Sequence, residues 1–254
     1  MKQVDLFIPV APKDICKLSY VVSNAKSHLP IEDIYIATPD KSQINLVNLN
    51  NLANVHIYND IEVLNFDRSR FKHRPNWDYQ QFLKLLQNVT KNDWYLVIDA
   101  DIIVNRYLPL WTNTDKPIMY LGRDQYHQSY FNFNKAILGF DRVYHYSFLS
   151  ECTLYNKHLI DYMLEDSGLN RDTFLIKSAN IINDGCYPAE SELYGNYIYN
   201  TYQDNLYEFT YIMSSLGGRY SNATWTDEEI QDEIAKHKHG HVEPHLITLH
   251  SWSD

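Results

Sequence analysis

Apolar positions in the first hundred residues follow two alternating periods. Short, nearly continuous apolar runs are typical of buried strands. They lie at residues 4–10, 32–38, 54–59 and 93–99. Between these runs, apolar residues recur at intervals of three and four, which is typical of amphipathic helices. These segments lie at residues 13–29, 42–52 and 77–89. Alternating strands and helices form βαβ units, so the pattern predicts an α/β fold with a mostly parallel central sheet flanked by helices.

The pattern is less regular after residue 105, where we expect a mixed region. Strands are predicted at residues 116–122, 145–155 and 245–252. Helices are predicted at residues 156–168, 171–184, 189–202 and 226–240. Asn156 suits an N-cap, and Thr226 and Glu229 have capping-box spacing. No clean boundary divides the chain, so we expect residues 1–254 to form a single domain.

Charge and composition exclude several classes of protein. The 254 residues carry a net charge of −10, which argues against nucleic acids and anionic membranes as partners. No apolar run approaches the roughly 18–20 residues of a membrane span, and residues 4–10 resemble a core strand more than a signal peptide. The three cysteines form no CxxC pair, which predicts neither a zinc knuckle nor a disulfide framework. We therefore expect a cytoplasmic protein.

Two carboxylates, Asp99 and Asp101, lie at the carboxyl end of the fourth predicted strand, whose interior is apolar. In an open α/β sheet, ligands bind at the carboxyl ends of the strands. Two carboxylates together with phosphate oxygens suit Mg²⁺ or Mn²⁺, which prefer oxygen ligands. The alternative is a turn at the strand end, which aspartate also favours.

Four segments in the expected order resemble the GT-A glycosyltransferases. The segment LVIDADIIV resembles the DxD block of that superfamily, and QQFLKLLQNV resembles the helix before it. PAESELYGNY is similar to an acidic helix start in a poorly characterised bacterial and viral branch, and ITLHSW is similar to a C-terminal strand that ends in a metal-binding histidine. The resemblance implies a nucleotide-sugar-binding half at residues 1–105 and an acceptor-binding half at 106–254.

The resemblance also implies a metal site. Asp101 would bind Mn²⁺ or Mg²⁺ directly, Asp99 would bind the metal through water or hold the ribose, and His250 would be the third protein ligand. The alternative for His250 is a strand-end histidine that is bonded to the backbone. The histidine-rich segment 237–241 also has metal-like spacing, although a solvated helix end is its simpler interpretation.

The loop after the first strand and the helix before the DxD segment hold the candidate donor contacts. In the superfamily that loop binds the nucleotide base and ribose, which implicates Val10, Ala11 and Asp14. Lys84 is a candidate for the diphosphate and Gln80 for the sugar or base. Lys84 could equally be a solvated lysine on an amphipathic helix. The arginine-rich segment 67–77 is either a solvated surface or a closing lid.

The acidic helix start supplies candidates for a catalytic base. The resemblance assigns this role to Glu190, with Glu192 as the second choice and Asp184 as the third. A carboxylate at this position would take the proton of the acceptor hydroxyl in an inverting transfer. The alternative is that acidic residues here only complement the helix dipole.

These expectations combine into a metal-dependent glycosyltransferase. It would move a hexose or deoxyhexose from a UDP- or GDP-linked sugar to a glycan acceptor, for which the 21 tyrosines and five tryptophans give weak support. Tyr126 and Trp225 are named only as candidates for acceptor contacts. A sugar nucleotidyltransferase would have a glycine-rich loop after the first strand, which PVAPKDICK lacks. The remaining alternative is a non-catalytic carbohydrate- or nucleotide-binding protein on a transferase fold.

Overall fold

The computed structural model describes most of the chain. It covers residues 2–44, 49, 54–122, 126–142, 144–145, 147–216, 225–238 and 243–250. The strands are β1 Val4–Pro9, β2 Ile31–Thr38, β3 Val55–Asn59, β4 Trp94–Ile98, β5 Ile102–Val104, β6 Ile118–Leu121, β7 Cys152–Asn156, β8 Glu208–Tyr211, β9 Ser214–Leu216 and β10 Leu246–Thr248. The helices are α1 Leu18–His28, α2 Asp60–Val63, α3 Pro75–Leu86, α4 Gln128–Leu138, α5 Lys157–Asp166, α6 Arg171–Asn183, α7 Glu190–Tyr202 and α8 Asp227–Lys238.

The fold is mixed α/β, with a mainly parallel sheet flanked by helices, which confirms the predicted fold class. The chain divides into two compact units, each built from separate segments. The first unit comprises residues 1–60, 98–109 and 212–254, and the second comprises 61–97 and 110–211. Among the described residues, no helix is both long enough and apolar enough to cross a membrane.

The first unit contains a parallel three-stranded arrangement in the order β3-β2-β1. All six residues of β1 are buried, as its continuous apolar run predicts. A second group of strands is formed by β10, which runs antiparallel to β5 and parallel to β9. The pairing of Thr248 with Ile102 brings the chain after β10 beside the turn that precedes β5.

The second unit contains β4 beside β7, the parallel pair β6 and β8, and a group of packed helices. Helix α7 packs against α3, α4 and α5. Gly195 allows one close approach in this group, because a Cβ atom there would lie 2.2 Å from the ring of Phe148.

Several predicted elements differ from the structure. The helix predicted at 13–29 opens as a 3₁₀ segment, Pro12–Lys17. The strand predicted at 145–155 is wrong over most of its length: among the described residues of this range, the strand begins at Cys152, and Ser147 makes only an isolated bridge to Gly122. Helix α4 was not predicted. Most of the helix predicted at 42–52 lies outside the described residues.

The predicted helix starts are confirmed. The Asn156 side chain accepts from the Leu159 N–H at 3.2 Å. Thr226 and Glu229 form the reciprocal pair, with the Thr226 N–H donating to Glu229 Oε2 at 2.9 Å and the Glu229 N–H donating to Thr226 Oγ1 at 3.3 Å.

Candidate active site

Asp99 and Asp101 occupy a tight turn between two strands. Strand β4 ends at Ile98 and β5 begins at Ile102. The Ile102 N–H donates to the Asp99 carbonyl at 3.1 Å, which closes the turn. Both aspartates are half-buried, so their carboxylates lie where an apolar strand reaches the surface.

His250 reaches the same turn from the far end of the chain. The Leu249 N–H donates to the Asp101 carbonyl at 2.8 Å and extends the contact between the two segments. One residue later, His250 Nδ1 lies 3.0 Å from Asp101 Oδ2. The imidazole and the carboxylate are therefore partners, although 149 positions separate them.

A buried lysine connects this turn to the loop after β1. Lys17 is fully buried, and its ammonium donates to Asp14 Oδ1 and to the Leu249 carbonyl, each at 2.7 Å. The Leu249 carbonyl immediately precedes His250, so Lys17 fixes the backbone that presents the imidazole. Lys17 was not predicted from the sequence as a residue of the site.

Burial and charge compete in this cluster, and they shift the pKa of two carboxyl groups in opposite directions. Burial raises the pKa of Asp14 and outweighs the lowering effect of Lys17. Burial also acts to raise the pKa of Asp101. There, however, the hydrogen bond and charge of His250, with the charge of Lys17, hold the pKa below its usual value. Asp101 is thus stabilised in its charged form, which is the form that binds a cation.

The predicted nucleotide loop belongs to the same unit. Val10 is buried, and its N–H donates to the Ala37 carbonyl at 2.8 Å. Ala11 follows in an extended conformation, and its carbonyl accepts from the Asp14 N–H at 2.9 Å. This turn directs the chain so that Asp14 meets Lys17. One short segment thus holds Val10, Ala11 and Asp14. Lys17 connects this segment to the backbone carbonyl that precedes His250.

The residues of the first unit fit a divalent metal in part. Within the described ranges, no three His, Cys, Asp or Glu side chains gather into a group that would hold a metal ion. Asp101 and His250 nevertheless place one carboxylate oxygen and one imidazole nitrogen side by side. This donor pair suits Mn²⁺, with Asp99 two residues away on the same turn.

The second unit contains the remaining candidates, and two of them form an ion pair. Lys84 on α3 lies 3.3 Å from Glu190 Oε1, and each side chain is 9% exposed. Glu190 is the first residue of α7, so its carboxylate lies at the positive end of the helix dipole. Gln80, one turn before Lys84 on α3, is half-buried.

Glu192 is held in a closed network of hydrogen bonds. It is fully buried, and its Oε2 accepts from the Phe148 N–H at 2.6 Å and from Ser147 Oγ at 3.1 Å. Burial raises the pKa of Glu192 and outweighs these bonds and the nearby Arg142. Glu192 therefore fixes the segment at Ser147–Phe148 to α7, a contact that sequence spacing does not reveal.

The minor candidates are dispersed. Asp184 is exposed at the end of α6, and Trp225 is buried. Tyr126 is 63% exposed and packs edge-on against Phe131. His237 contacts Glu233 at 3.1 Å, and the rest of the histidine-rich segment lies almost wholly outside the described residues.

Solved structures of glycosyltransferases have a similar fold. A crystal structure of an active-site mutant of LgtC aligns with a TM-score of 0.50 and 13% identity, and covers 99% of this chain and 89% of that chain. Galactosyltransferase LgtC in complex with donor and acceptor sugar analogs aligns with a TM-score of 0.49 and 15% identity. The alignment covers 97% of this chain and 87% of that chain. Mouse xyloside xylosyltransferase 1 in its apo form aligns with a TM-score of 0.47 and 11% identity, and the alignment covers 97% of each chain. At these identities the likeness concerns the fold alone, and the alignment with the LgtC mutant indicates a GT-A fold.

Sequence comparison places the chain in a family. No curated protein matches it. A family model described as "Family of unknown function (DUF6492)" matches residues 3–165, which include the loop after β1, helix α3 and the DxD turn. This match covers more than half of the chain, which therefore belongs to the DUF6492 family of unknown function.

Proposed function

We propose that this protein is a metal-dependent glycosyltransferase. It transfers a hexose or deoxyhexose from a UDP- or GDP-linked sugar to a glycan acceptor. The observation that carries the proposal is the Asp101–His250 pair, 3.0 Å apart at a strand end of a GT-A fold. The fully buried Lys17 supports it, because it anchors the backbone before His250 and thereby pre-organises the pair.

The first unit supplies the residues for the metal and the nucleotide. Asp101 and His250 would hold Mn²⁺ or Mg²⁺, with Asp99 as a ligand through water or as a ribose contact. When bound, the metal supplies positive charge that stabilises the departing diphosphate. Val10, Ala11 and Asp14 are the proposed contacts to the base and ribose, partly through backbone groups.

The second unit supplies the proposed proton acceptor. As the acceptor oxygen bonds to the anomeric carbon, the bond from that carbon to the diphosphate oxygen breaks and its electron pair leaves with the diphosphate. The Glu190 carboxylate takes the hydroxyl proton, and attack from the opposite face inverts the anomeric configuration. Glu190 is favoured over Glu192 because Glu192 is fully buried, its Oε2 accepts from both Ser147 and Phe148, and its Oε1 accepts from Asn196 at 3.5 Å. Lys84 and Gln80 are the proposed contacts to the donor phosphate and sugar.

Donor turnover tests this proposal. UDP-glucose, UDP-galactose, GDP-mannose and GDP-fucose would each be incubated with enzyme and Mn²⁺, and release of UDP or GDP measured with and without chelator. We expect metal-dependent release with at least one donor. Glu190→Gln should lower transfer to an acceptor by about 10²–10⁴-fold, the usual contribution of a general base.

Two controls make the result interpretable. Asp172→Ala removes an exposed carboxylate in the first turn of α6 and should retain activity. Circular dichroism would verify that Glu190→Gln folds although it removes the carboxylate charge that faces Lys84. Nucleotide binding with no release from any donor would contradict the proposal and favour the non-catalytic binding protein.

A further inference from the structure

A surface strip of aromatic and cationic side chains in the second unit has no role in the chemistry above. We call it the aromatic strip. It comprises His73, Arg74, Trp77, His127, Tyr130 and Tyr187. All six side chains are exposed or half-buried. Half of the strip comes from the arginine-rich segment 67–77, whose sequence is compatible with either a solvated surface or a closing lid.

At the centre of the strip, the planes of two aromatic rings are nearly parallel. The rings of Trp77 and Tyr130 are inclined by 22° and their centroids lie 6.2 Å apart. Since rings in full face contact would lie at roughly 3.5–4.0 Å, these two overlap only in part. The Arg74 guanidinium lies over the Trp77 ring, 5.0 Å from its centroid, and the His127 ring centroid lies 4.9 Å from that of Tyr130. Trp77 and Tyr130 are both half-buried, so part of each side chain remains accessible near a polar group.

Contacts made by His73 and Arg74 hold the strip in place. His73 stacks on Tyr187 with centroids 3.7 Å apart. The fully buried Asp78 accepts from the Arg74 N–H at 3.0 Å, and His73 Nδ1 lies 3.8 Å from the same carboxylate oxygen. These contacts order the loop before any ligand arrives, which reduces the entropic cost of binding.

The strip lies close to the proposed base. Burial raises the pKa of Tyr130, the Arg74 charge lowers it, and the Glu190 and Asp78 carboxylates raise it again. The Glu190 charge thus acts on a ring of the strip. Tyr187 is also only three positions before Glu190 in the chain.

A buried amide next to the strip lacks a hydrogen-bond partner. Asn134 follows Tyr130 by four residues, so both lie on one face of α4. It is 3% exposed, and within the described part of the chain neither its amide oxygen nor its amide nitrogen has a partner. Such a group is costly unless something else satisfies it, and a hydroxyl-rich ligand carries both donors and acceptors.

We infer that the aromatic strip binds a pyranose ring of the glycan acceptor, with the sugar's C–H face on Trp77 and its hydroxyls toward Tyr130 and the flanking histidines. Aromatic faces combined with a few polar groups suit a ligand that is apolar on one face and hydroxylated at its edge. The assignment of this sugar to the acceptor rests on the proposed function, whereas the binding of a pyranose does not.

Saturation-transfer NMR tests the inference without metal or nucleotide. The probes are methyl β-D-galactopyranoside, methyl β-D-glucopyranoside and methyl α-D-mannopyranoside, each titrated in chelator. We expect saturation of the ring C–H protons of at least one probe. Trp77→Ala should weaken its binding by about tenfold, and Trp77→Phe by less, because phenylalanine keeps a ring face. Tyr162→Ala is the matched control, since Tyr162 is an exposed tyrosine on α5.

The inference would be overturned if no probe were saturated with the wild type, if wild type and Trp77→Ala bound equally, or if Tyr162→Ala showed an equal loss. Trp77-dependent saturation of the base protons of UDP or GDP, without any glycoside signal, would also overturn it and assign the strip to a nucleobase. Donor turnover by the wild type is measured separately, so either proposal can fail while the other stands.

Discussion

Lys17 is the residue whose environment most constrains the proposed metal site. Its ammonium is fully buried and joins the Asp14 carboxylate to the backbone carbonyl before His250. A buried charge persists only when it is paired, so the three groups depend on one another.

Lys17→Met should lower the free energy of unfolding by about 3–5 kcal/mol, because it leaves the Asp14 carboxylate buried without its cation. Urea denaturation would measure the change. Lys135→Met, in an exposed pair with Asp141, should cost only about 0–1 kcal/mol. Adding Asp14→Asn to Lys17→Met should recover most of the loss; an additive double variant would contradict the account.

Sequence spacing allows this pair but could not reveal the second contact of Lys17. In the α-helix predicted from residue 13, Asp14 and Lys17 would lie only about 60° apart, close enough to pair. The structure opens instead with a 3₁₀ segment, in which residues three apart lie one above the other. The bond from Lys17 to the Leu249 carbonyl joins residues 232 positions apart, so no local period predicts it.

Glu192 makes a second residue-level prediction, which concerns pH. Burial raises its pKa in the folded state above that in the unfolded chain. As the pH falls through the folded pKa toward the usual glutamate pKa of 4.5, the folded state takes up the proton first, so this group favours folding at lower pH. The stability of the wild type relative to Glu192→Gln should therefore decrease as the pH rises through this window. Denaturation at several pH values would check it, and a difference that increases with pH would contradict it.

At the scale of elements, the position of α7 is constrained by close contact between the backbone of Gly195 and the ring of Phe148. A Cβ atom at Gly195 would lie 2.2 Å from Phe148 Cγ, and Phe148 is buried. The Phe148 N–H also donates to Glu192 on the same helix, so the ring cannot move away without losing that bond.

Gly195→Ala should therefore destabilise the protein, although alanine favours helices by about 1 kcal/mol over glycine. Overpacking costs about 1–3 kcal/mol, and distortion of the Glu192 bond adds to it. Thermal unfolding would measure a lower Tm. Asn200→Ala, at an exposed position of the same helix, should be neutral or slightly stabilising. A Gly195→Ala variant as stable as Asn200→Ala would show that Phe148 repacks freely.

The elements that sequence predicted well share a strong period. Strands β1 to β4 are apolar runs between polar turns, and each was predicted to within one residue at either end. Helix α4 was missed because its buried positions include Phe131 and Phe133, which are two residues apart and do not follow a helical stripe. Tertiary packing against α6 and α7 decides its conformation.

At the scale of the whole molecule, the fold was predictable and the partners within each site were only partly so. Alternating strands and helices gave the α/β class, and the likeness to the LgtC mutant supports a GT-A fold. Pairing of β5 with β10 brings His250 to Asp101, which the DxD segment alone does not specify. The Lys84–Glu190 pair and the Glu192 network depend on helix packing and required the structure.

Calorimetric titration of UDP and of GDP, with and without Mn²⁺, tests the central claim most directly. It would compare the wild type, Asp101→Ala and the control Asp172→Ala. The account predicts that one nucleotide binds the wild type and the control only when Mn²⁺ is present, and that Asp101→Ala loses this binding because the carboxylate next to His250 is gone. Equal nucleotide binding by wild type and Asp101→Ala, or no binding by either, would contradict the claim and leave Asp99 and Asp101 as turn residues on a GT-A fold.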